Sequence, residues 1–240
     1  MESGQKQYKV LAVDDNLYTL RIVKQSLSPA GYRVTTVSSG EEGLNVISDT
    51  GLPHLAIVDL HMPPGMSGFE FCRSIHQYSD VPVIMLTAVG EESTVLEGLE
   101  HHAEDYIVKP FSPGELVARV SRLIKRMGEF EFPLEAFTPV DEHLQINFPH
   151  RYALVDGEPV SLTPTETKLL YILMRSAGNI VTTEYILRRL WPSEPAFEDR
   201  LHVHLHRLRR KLEPGGFKGE STYIVSERGS GYMFAKSFVS

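Results

Sequence analysis

Five short runs of apolar, mostly branched residues punctuate the first half of the chain: Val10 to Val13, Val34 to Val37, Leu55 to Val58, Val81 to Leu86 and Tyr106 to Val108. Amphipathic stretches of about helical length separate them, and five such pairs argue for a doubly wound α/β unit, a parallel sheet with helices on both faces. In that architecture ligands bind at the carboxyl ends of the strands, beside the point where strand order reverses. What stands at those ends is therefore the informative part of the sequence.

Asp14 and Asp15 follow the first run, Asp59 the third, Thr87 and Ala88 the fourth, and Lys109 with Pro110 the fifth. Asp59 raises the sharpest question, because an unpaired carboxylate in a dry place costs several kcal/mol and must be solvated, paired or bound to a cation. Three carboxylates crowded on one rim repel one another unless a cation sits among them, and an oxygen-only donor set suits Mg²⁺. A lysine and a threonine hydroxyl opposite the metal are what the oxygens of a phosphoryl group need. Each residue alone has an ordinary explanation: helix cap, turn residue, solvated charge. All five at the strand ends of one sheet are much harder to obtain by accident.

At 240 residues the chain has room for two domains of ordinary size. No apolar run approaches the ~20 residues needed to cross a bilayer, so no membrane partner and a cytoplasmic location are expected. The single cysteine, Cys72, makes no internal disulfide. A net charge of −7 argues against nucleic-acid binding until it is divided: residues 1–130 hold 11 Lys+Arg against 17 Asp+Glu, residues 131–240 hold 13 against 14. Within the second half, "RLHVHLHRLRRK" (200–211) carries five cations, three histidines and no acid.

Residues 128–141 break the pattern and read as a linker. "LQINF" and "RYALVDGEPVSL" then read as short antiparallel strands with Asp156-Gly157 as a hairpin turn. In "LTPTE", Thr163 as N-cap, Pro164 at the first helical position and Glu166 three residues after the cap form a capping-box signature for a helix reaching Ser176. A second helix starts near Thr182 or Thr183 and stops at Trp191 before Pro192. In a third, Leu201, Leu205, Leu208 and Leu212 form one buried stripe, which turns Val203, His206, Arg207 and Arg210 outward with Arg200 at the flank. Such a helix fits the DNA major groove, and "YIVSERGSGYMF" reads as a hairpin that forms a wing beside it.

The set "VDD", "VDLHMP", "LTA" and "DYIVKPF" resembles the flavodoxin-like receiver domain of two-component response regulators. "LTPTE", "LHRLRRKLEP" and "RGSGY" resemble the α+β winged-helix DNA-binding domain of the OmpR/PhoB family. The resemblance implies a receiver over residues 1–127, the linker 128–141 and the winged helix over 142–240. It implies phosphorylation of Asp59 by a sensor histidine kinase, with Mg²⁺ held by Asp15, Asp59 and the backbone carbonyl of His61, and Asp14 acting through water. Lys109 would pair with the phosphoryl group, Thr87, with Ala88 beside it, would move to bond it, and Tyr106 would rotate inward.

By the same resemblance Val203, His204, Arg207 and Arg210, flanked by Arg200, would face DNA, with Arg228 of the wing near the minor groove and the loop 191–200 offered to RNA polymerase. Phosphorylated receivers would pair through Glu100 with Arg119 and Asp105 with Arg126, while Glu115 meets Val95 where a charged partner is usual. The chain is thus expected to be a dimeric, phosphorylation-dependent transcription regulator that reads repeated half-sites, not an enzyme. Three departures stand out: Gly68 stands nine positions after Asp59 where the family usually has eight, His202 replaces the usual Asp, and Glu227 an apolar residue. The insertion follows His61, so the metal site is expected to survive it. Two alternatives remain open, a constitutive DNA binder and a haloacid-dehalogenase-type phosphatase. The second would want an Asp where His61 stands.

Overall fold

The computed structural model describes residues 7–88, 103–127, 132, 134–192, 197–213 and 223–235. The chain forms two compact units, one of residues 1–75 and 81–127, the other of 76–80 and 128–240.

In the first unit β1 (Lys9–Val13), β2 (Arg33–Val37), β3 (Leu55–Asp59), β4 (Val83–Thr87) and β5 (Asp105–Val108) make one parallel sheet in the order β2-β1-β3-β4-β5. The helices described are α1 (Leu17–Leu27), α2 (Gly40–Thr50), α3 (Gly68–His76) and α4 (Pro113–Met127). Every residue of β3 and β4 is buried, as continuous apolar runs in a sheet covered on both faces require. Val10, Ile57, Ile84 and Ile107 pack with Leu20, Val23 and Leu27 of α1 and with Leu116, Val120 and Leu123 of α4. Each such side chain contributes ~1.5–3 kcal/mol by leaving water. The strand order reverses between β1 and β3, so a crevice opens where Val13 pairs with Val58. Helix starts are fixed locally. Asn16 Oδ1 accepts the Tyr18 N–H at 2.9 Å, and Ser39 Oγ accepts the Glu42 N–H at 3.2 Å.

In the second unit β6 (Thr138–Pro139), β7 (Leu144–Asn147), β8 (Tyr152–Val155) and β9 (Glu158–Ser161) form an antiparallel sheet in sequence order. The β8–β9 turn puts Asp156 and Gly157 at φ 50° and 84°, the conformation a two-residue hairpin of the right twist demands. Three helices follow, α5 (Pro164–Arg175), α6 (Thr183–Leu190) and α7 (Glu198–Leu212), with a sheet β10-β12-β11 built from Val181–Thr182, Gly231–Phe234 and Ile224–Glu227. The capping box at Thr163 is complete.

Two elements depart from expectation. Thr138 and Pro139, expected in the linker, pair with Ile146 and Gln145 and extend the first sheet. β10 was not foreseen, because two residues carry no periodicity. Its existence depends on Gly231, where a Cβ would run into the Val181 carbonyl. Among the described residues no helix is long and apolar enough to cross a membrane.

Candidate functional site

At the carboxyl rim of the parallel sheet, carboxylate oxygens of Asp14, Asp15 and Asp59 lie within 4.8 Å of one another. Asp14 and Asp59 are buried and Asp15 is exposed, so the cluster opens to solvent on one side. The Lys109 ammonium donates to Asp14 Oδ2 at 2.8 Å and lies 3.0 Å from Asp59 Oδ2, bridging the two inner carboxylates. Asp14 also accepts the Asn16 N–H at 2.9 Å, which orients it against the start of α1. Register explains the meeting: Val13 pairs with Val58, Asp59 with Leu86 and Leu86 with Ile107, so Asp14, Asp59 and Lys109 emerge within two residues of one level.

The charges tune each other. Burial raises the Asp59 carboxyl above its ordinary value, the Lys109 hydrogen bond opposes that, and repulsion from Asp14 adds to it. Burial works against the Lys109 ammonium, but its bonds to Asp14 and Asp59 outweigh that and hold its pKa above the ordinary value. The donor set is all oxygen, with three carboxylates beside a strand end, and fits a hard divalent cation of the Mg²⁺ type.

Two further side chains at this end of the sheet lack hydrogen-bond partners among the described residues: Thr87 Oγ1 and the Tyr106 hydroxyl, both buried atoms. Burial pushes the Tyr106 phenol up to about 12. Ala88 is exposed just beyond Thr87, and the Lys109 N–H donates to the Thr87 carbonyl at 2.7 Å. His61 is exposed at the start of the loop 61–67. Gly68 closes that loop, its N–H donating to the Leu60 carbonyl at 3.0 Å, and a Cβ there would collide with the Asp59 carbonyl. The sequence-expected set of carboxylates, hydroxyl and ammonium is thus brought to one rim.

On the last part of that unit, Asp105 accepts Arg119 at 2.9 Å and Arg122 at 2.7 Å, and Arg119 also pairs with Glu115 at 2.9 Å. Asp105 and Arg119, expected to find partners on a second copy, are thus paired within one chain. Arg126 lies in the last turn of α4. Glu100 and Val95 lie outside the described residues.

In the second unit Leu201, Leu205, Leu208 and Leu212 of α7 are buried, and Arg200, His202, Val203, His206, Arg207 and Arg210 are exposed. Val203 is 48% exposed on this face. His204 is half-buried: its ring lies 5.7 Å from that of Trp191, and burial lowers its pKa. The same indole carries the Arg200 guanidinium 4.4 Å above it. Arg228 is exposed in the turn between β11 and β12. Arg209, which the sequence did not single out, donates to the Ile224 carbonyl at 2.8 Å and to Ser226 Oγ at 2.8 Å, tying α7 to the β11–β12 hairpin. Its place at the edge of the leucine stripe is the signal that separates it from Arg207 and Arg210. His202 and Glu227 share an open cleft with Glu184, Glu198 and Arg228. Residues 193–196 of the loop expected to meet RNA polymerase lie outside the described residues.

Residues 10–121 match the family model of the response regulator receiver domain, and residues 157–234 match that of the C-terminal domain of transcriptional regulatory proteins. The probable transcriptional regulator ycf27 of Cyanophora paradoxa is 37% identical over 243 residues, covering 98% of this chain and 98% of its own. Transcriptional regulatory protein ResD of Bacillus subtilis is 36% identical, covering 94% of this chain and 95% of its own. Among solved structures, the response regulator DrrB of Thermotoga maritima, an OmpR/PhoB homologue, is 31% identical and covers 95% of this chain and 99% of its own, with a TM-score of 0.46.

Proposed function

Since the chain belongs to the OmpR/PhoB family of two-component response regulators, joining a receiver domain to a DNA-binding transcriptional regulatory domain, we propose that phosphorylation of Asp59 switches it into a dimer that binds promoter DNA. The observation that carries this reading is Lys109 bridging the buried Asp14 and Asp59 at 2.8 and 3.0 Å, beside the exposed Asp15.

A carboxylate is a weak nucleophile, and it becomes competent where cations absorb the charge that develops on the phosphoryl oxygens. An Asp59 oxygen forms the new O–P bond while the N–P bond of a sensor kinase's phosphohistidine breaks, and the imidazole leaves with its electron pair. Lys109 lies within reach of the arriving oxygens and holds its proton, as its raised pKa requires. Asp15, Asp59 and the His61 carbonyl would hold Mg²⁺, with Asp14 acting through water, and the bound ion would supply further charge neutralisation. Thr87 Oγ1, without a partner among the described residues, gains one in the new phosphoryl group, and the Tyr106 hydroxyl responds to the movement of Thr87.

On the DNA side, Arg207 and Arg210 donate to phosphates or guanine edges, Val203 offers apolar contact to a base, and Arg228 approaches from the wing. Arg200 and His204 act from their shared packing on Trp191. Dimerisation uses the face of β5, α4 and the segment that carries Val95 and Glu100, with Arg119 and Asp105 exchanging their partners in the chain for Glu100 and Arg126 of a second copy. The segment 191–200 meets RNA polymerase, and the protein works in the cytoplasm.

The test is the intact mass of the full chain after incubation with acetyl phosphate and Mg²⁺, with Asp59→Ala alongside, followed by sizing and DNA binding. One added phosphoryl group that requires Asp59, with a shift to dimer and tighter DNA binding, is the expected result. No uptake with Mg²⁺ present overturns the switch and leaves a constitutive DNA binder.

A further inference from the structure

The loop that carries the His61 carbonyl is longer than usual by one residue, and its path has two supports. At its base the Gly68 N–H donates to the Leu60 carbonyl at 3.0 Å, and the Leu60 N–H donates to the Leu86 carbonyl at 3.0 Å. Ser67 is fastened to α3, its N–H and Oγ both donating to Glu70 Oε2 at 2.8 Å. The turn itself is tied to a separate element: the Met66 N–H donates to Glu41 Oε1 at 2.9 Å, in the first turn of α2.

Three details make this a fitted contact. Gly65 has φ +129°, and a Cβ there would lie 3.0 Å from the same Glu41 oxygen. Gly40 leaves room for the Met66 side chain, whose Sδ would lie 3.0 Å from an added Cβ. Glu41 stands where helix N-terminal N–H groups favour an anion, and its own backbone N–H together with that of Met66 holds its carboxyl below the ordinary range. The carboxylate therefore stays charged at neutral pH while remaining exposed. It is not needed to bury apolar surface. What it holds is the loop.

We propose that Glu41 is a positioning residue for the chemistry at Asp59: by gripping the Met66 amide it fixes the course of residues 61–67, and with it the His61 backbone carbonyl at the loop's start. A seven-residue excursion closed only at its base samples many conformations, and each residue held in place narrows that ensemble toward the metal-ready one. The inserted residue lengthens the excursion, and the Glu41 contact offsets that added freedom. This inference rests on the proposed reaction at Asp59.

The experiment compares the full-length chain with Glu41→Ala and Glu41→Gln. Mg²⁺ binding is titrated by NMR on the backbone amides around Asp59, Met66 amide exchange is followed in the same samples, and acetyl phosphate uptake is measured as a function of Mg²⁺. For Glu41→Ala, faster Met66 exchange and roughly tenfold weaker Mg²⁺ binding are expected, the scale on which outer-shell partners tune a metal site, with uptake restored at high Mg²⁺. Glu41→Gln keeps an oxygen acceptor for the Met66 N–H and is expected to recover most of the affinity, which a charge effect alone would not allow. Unchanged Mg²⁺ affinity in Glu41→Ala, with Met66 exchange raised, overturns the role of Glu41 and leaves the reaction at Asp59 standing. Failure of the unmutated chain to bind Mg²⁺ or take up a phosphoryl group overturns both.

Discussion

Lys211 on α7 is expected to hold the second unit together through one buried carboxylate, and replacing it with methionine measures how much. Glu166 has a side chain only 2% exposed, and its Oε2 accepts the Lys211 ammonium at 2.7 Å and the Thr163 N–H at 2.8 Å. The Lys211 side chain is 31% exposed and also donates to the Ser161 carbonyl at 2.9 Å. Breaking a fully buried pair costs about 3–5 kcal/mol and an exposed pair about 0–1, so a pair with one wet partner should cost about 2 kcal/mol when the cation is removed. Trp191 is the single tryptophan and lies in this unit, so its fluorescence reports unfolding of the second unit in the full-length chain. With a urea slope of ~1–3 kcal/mol per molar, the midpoint should fall by about 1 M.

The carboxylate, not the lysine stem, is the source of the penalty. Lys211→Met with Glu166→Gln should therefore recover at least half of the loss, because glutamine still accepts the Thr163 N–H and strands no charge. Burial raises the Glu166 carboxyl, but Lys211 and the Thr163 N–H outweigh it and hold it below its ordinary 4.5. A depressed folded pKa stabilises above the ordinary value and loses that contribution as pH falls through the folded one, so the Lys211→Met deficit should be full near pH 7 and shrink as pH falls below 4.5. A midpoint shift under ~0.3 M, or a double variant no more stable than the single one, would refute this account.

Gly68→Ala drives a Cβ into the Asp59 carbonyl; a loss of about 1–3 kcal/mol is expected from the forced repacking, read by thermal unfolding together with slower acetyl phosphate uptake. Gly231→Ala should separate β10 from β12 by the same kind of collision with Val181, weakening DNA binding in gel-shift titrations while leaving phosphoryl uptake at Asp59 unchanged. Burial lowers the His204 pKa from its ordinary 6.5, so His204 should titrate below that value by NMR. Trp191→Ala, by opening the ring to water, should move it up, and a titration unaffected by the indole would count against the stacking. Asp105→Asn removes the acceptor shared by Arg119 and Arg122, and since these pairs are partly exposed, the monomer should lose no more than about 1 kcal/mol in urea unfolding.

Periodicity and strand-end chemistry are local properties, and the sequence by itself determined what depends on them. The five apolar runs specified the parallel sheet, the residues after them named Asp14, Asp15, Asp59, Thr87 and Lys109, and "LTPTE" with the leucine stripe specified a capped helix and a helix with one basic face. Pairings between distant residues carry no such mark. That Lys109 bridges Asp14 and Asp59, that Arg119 satisfies Asp105 within one chain, that His204 packs against Trp191, and that Glu41 reaches Met66 were decided by the tertiary structure. Each depends on which side chains the packed elements bring within about 3–6 Å, a distance that chain separation does not encode. The two-residue strands β6 and β10 belong with them, since their backbones become strands only because a neighbouring strand supplies hydrogen-bond partners.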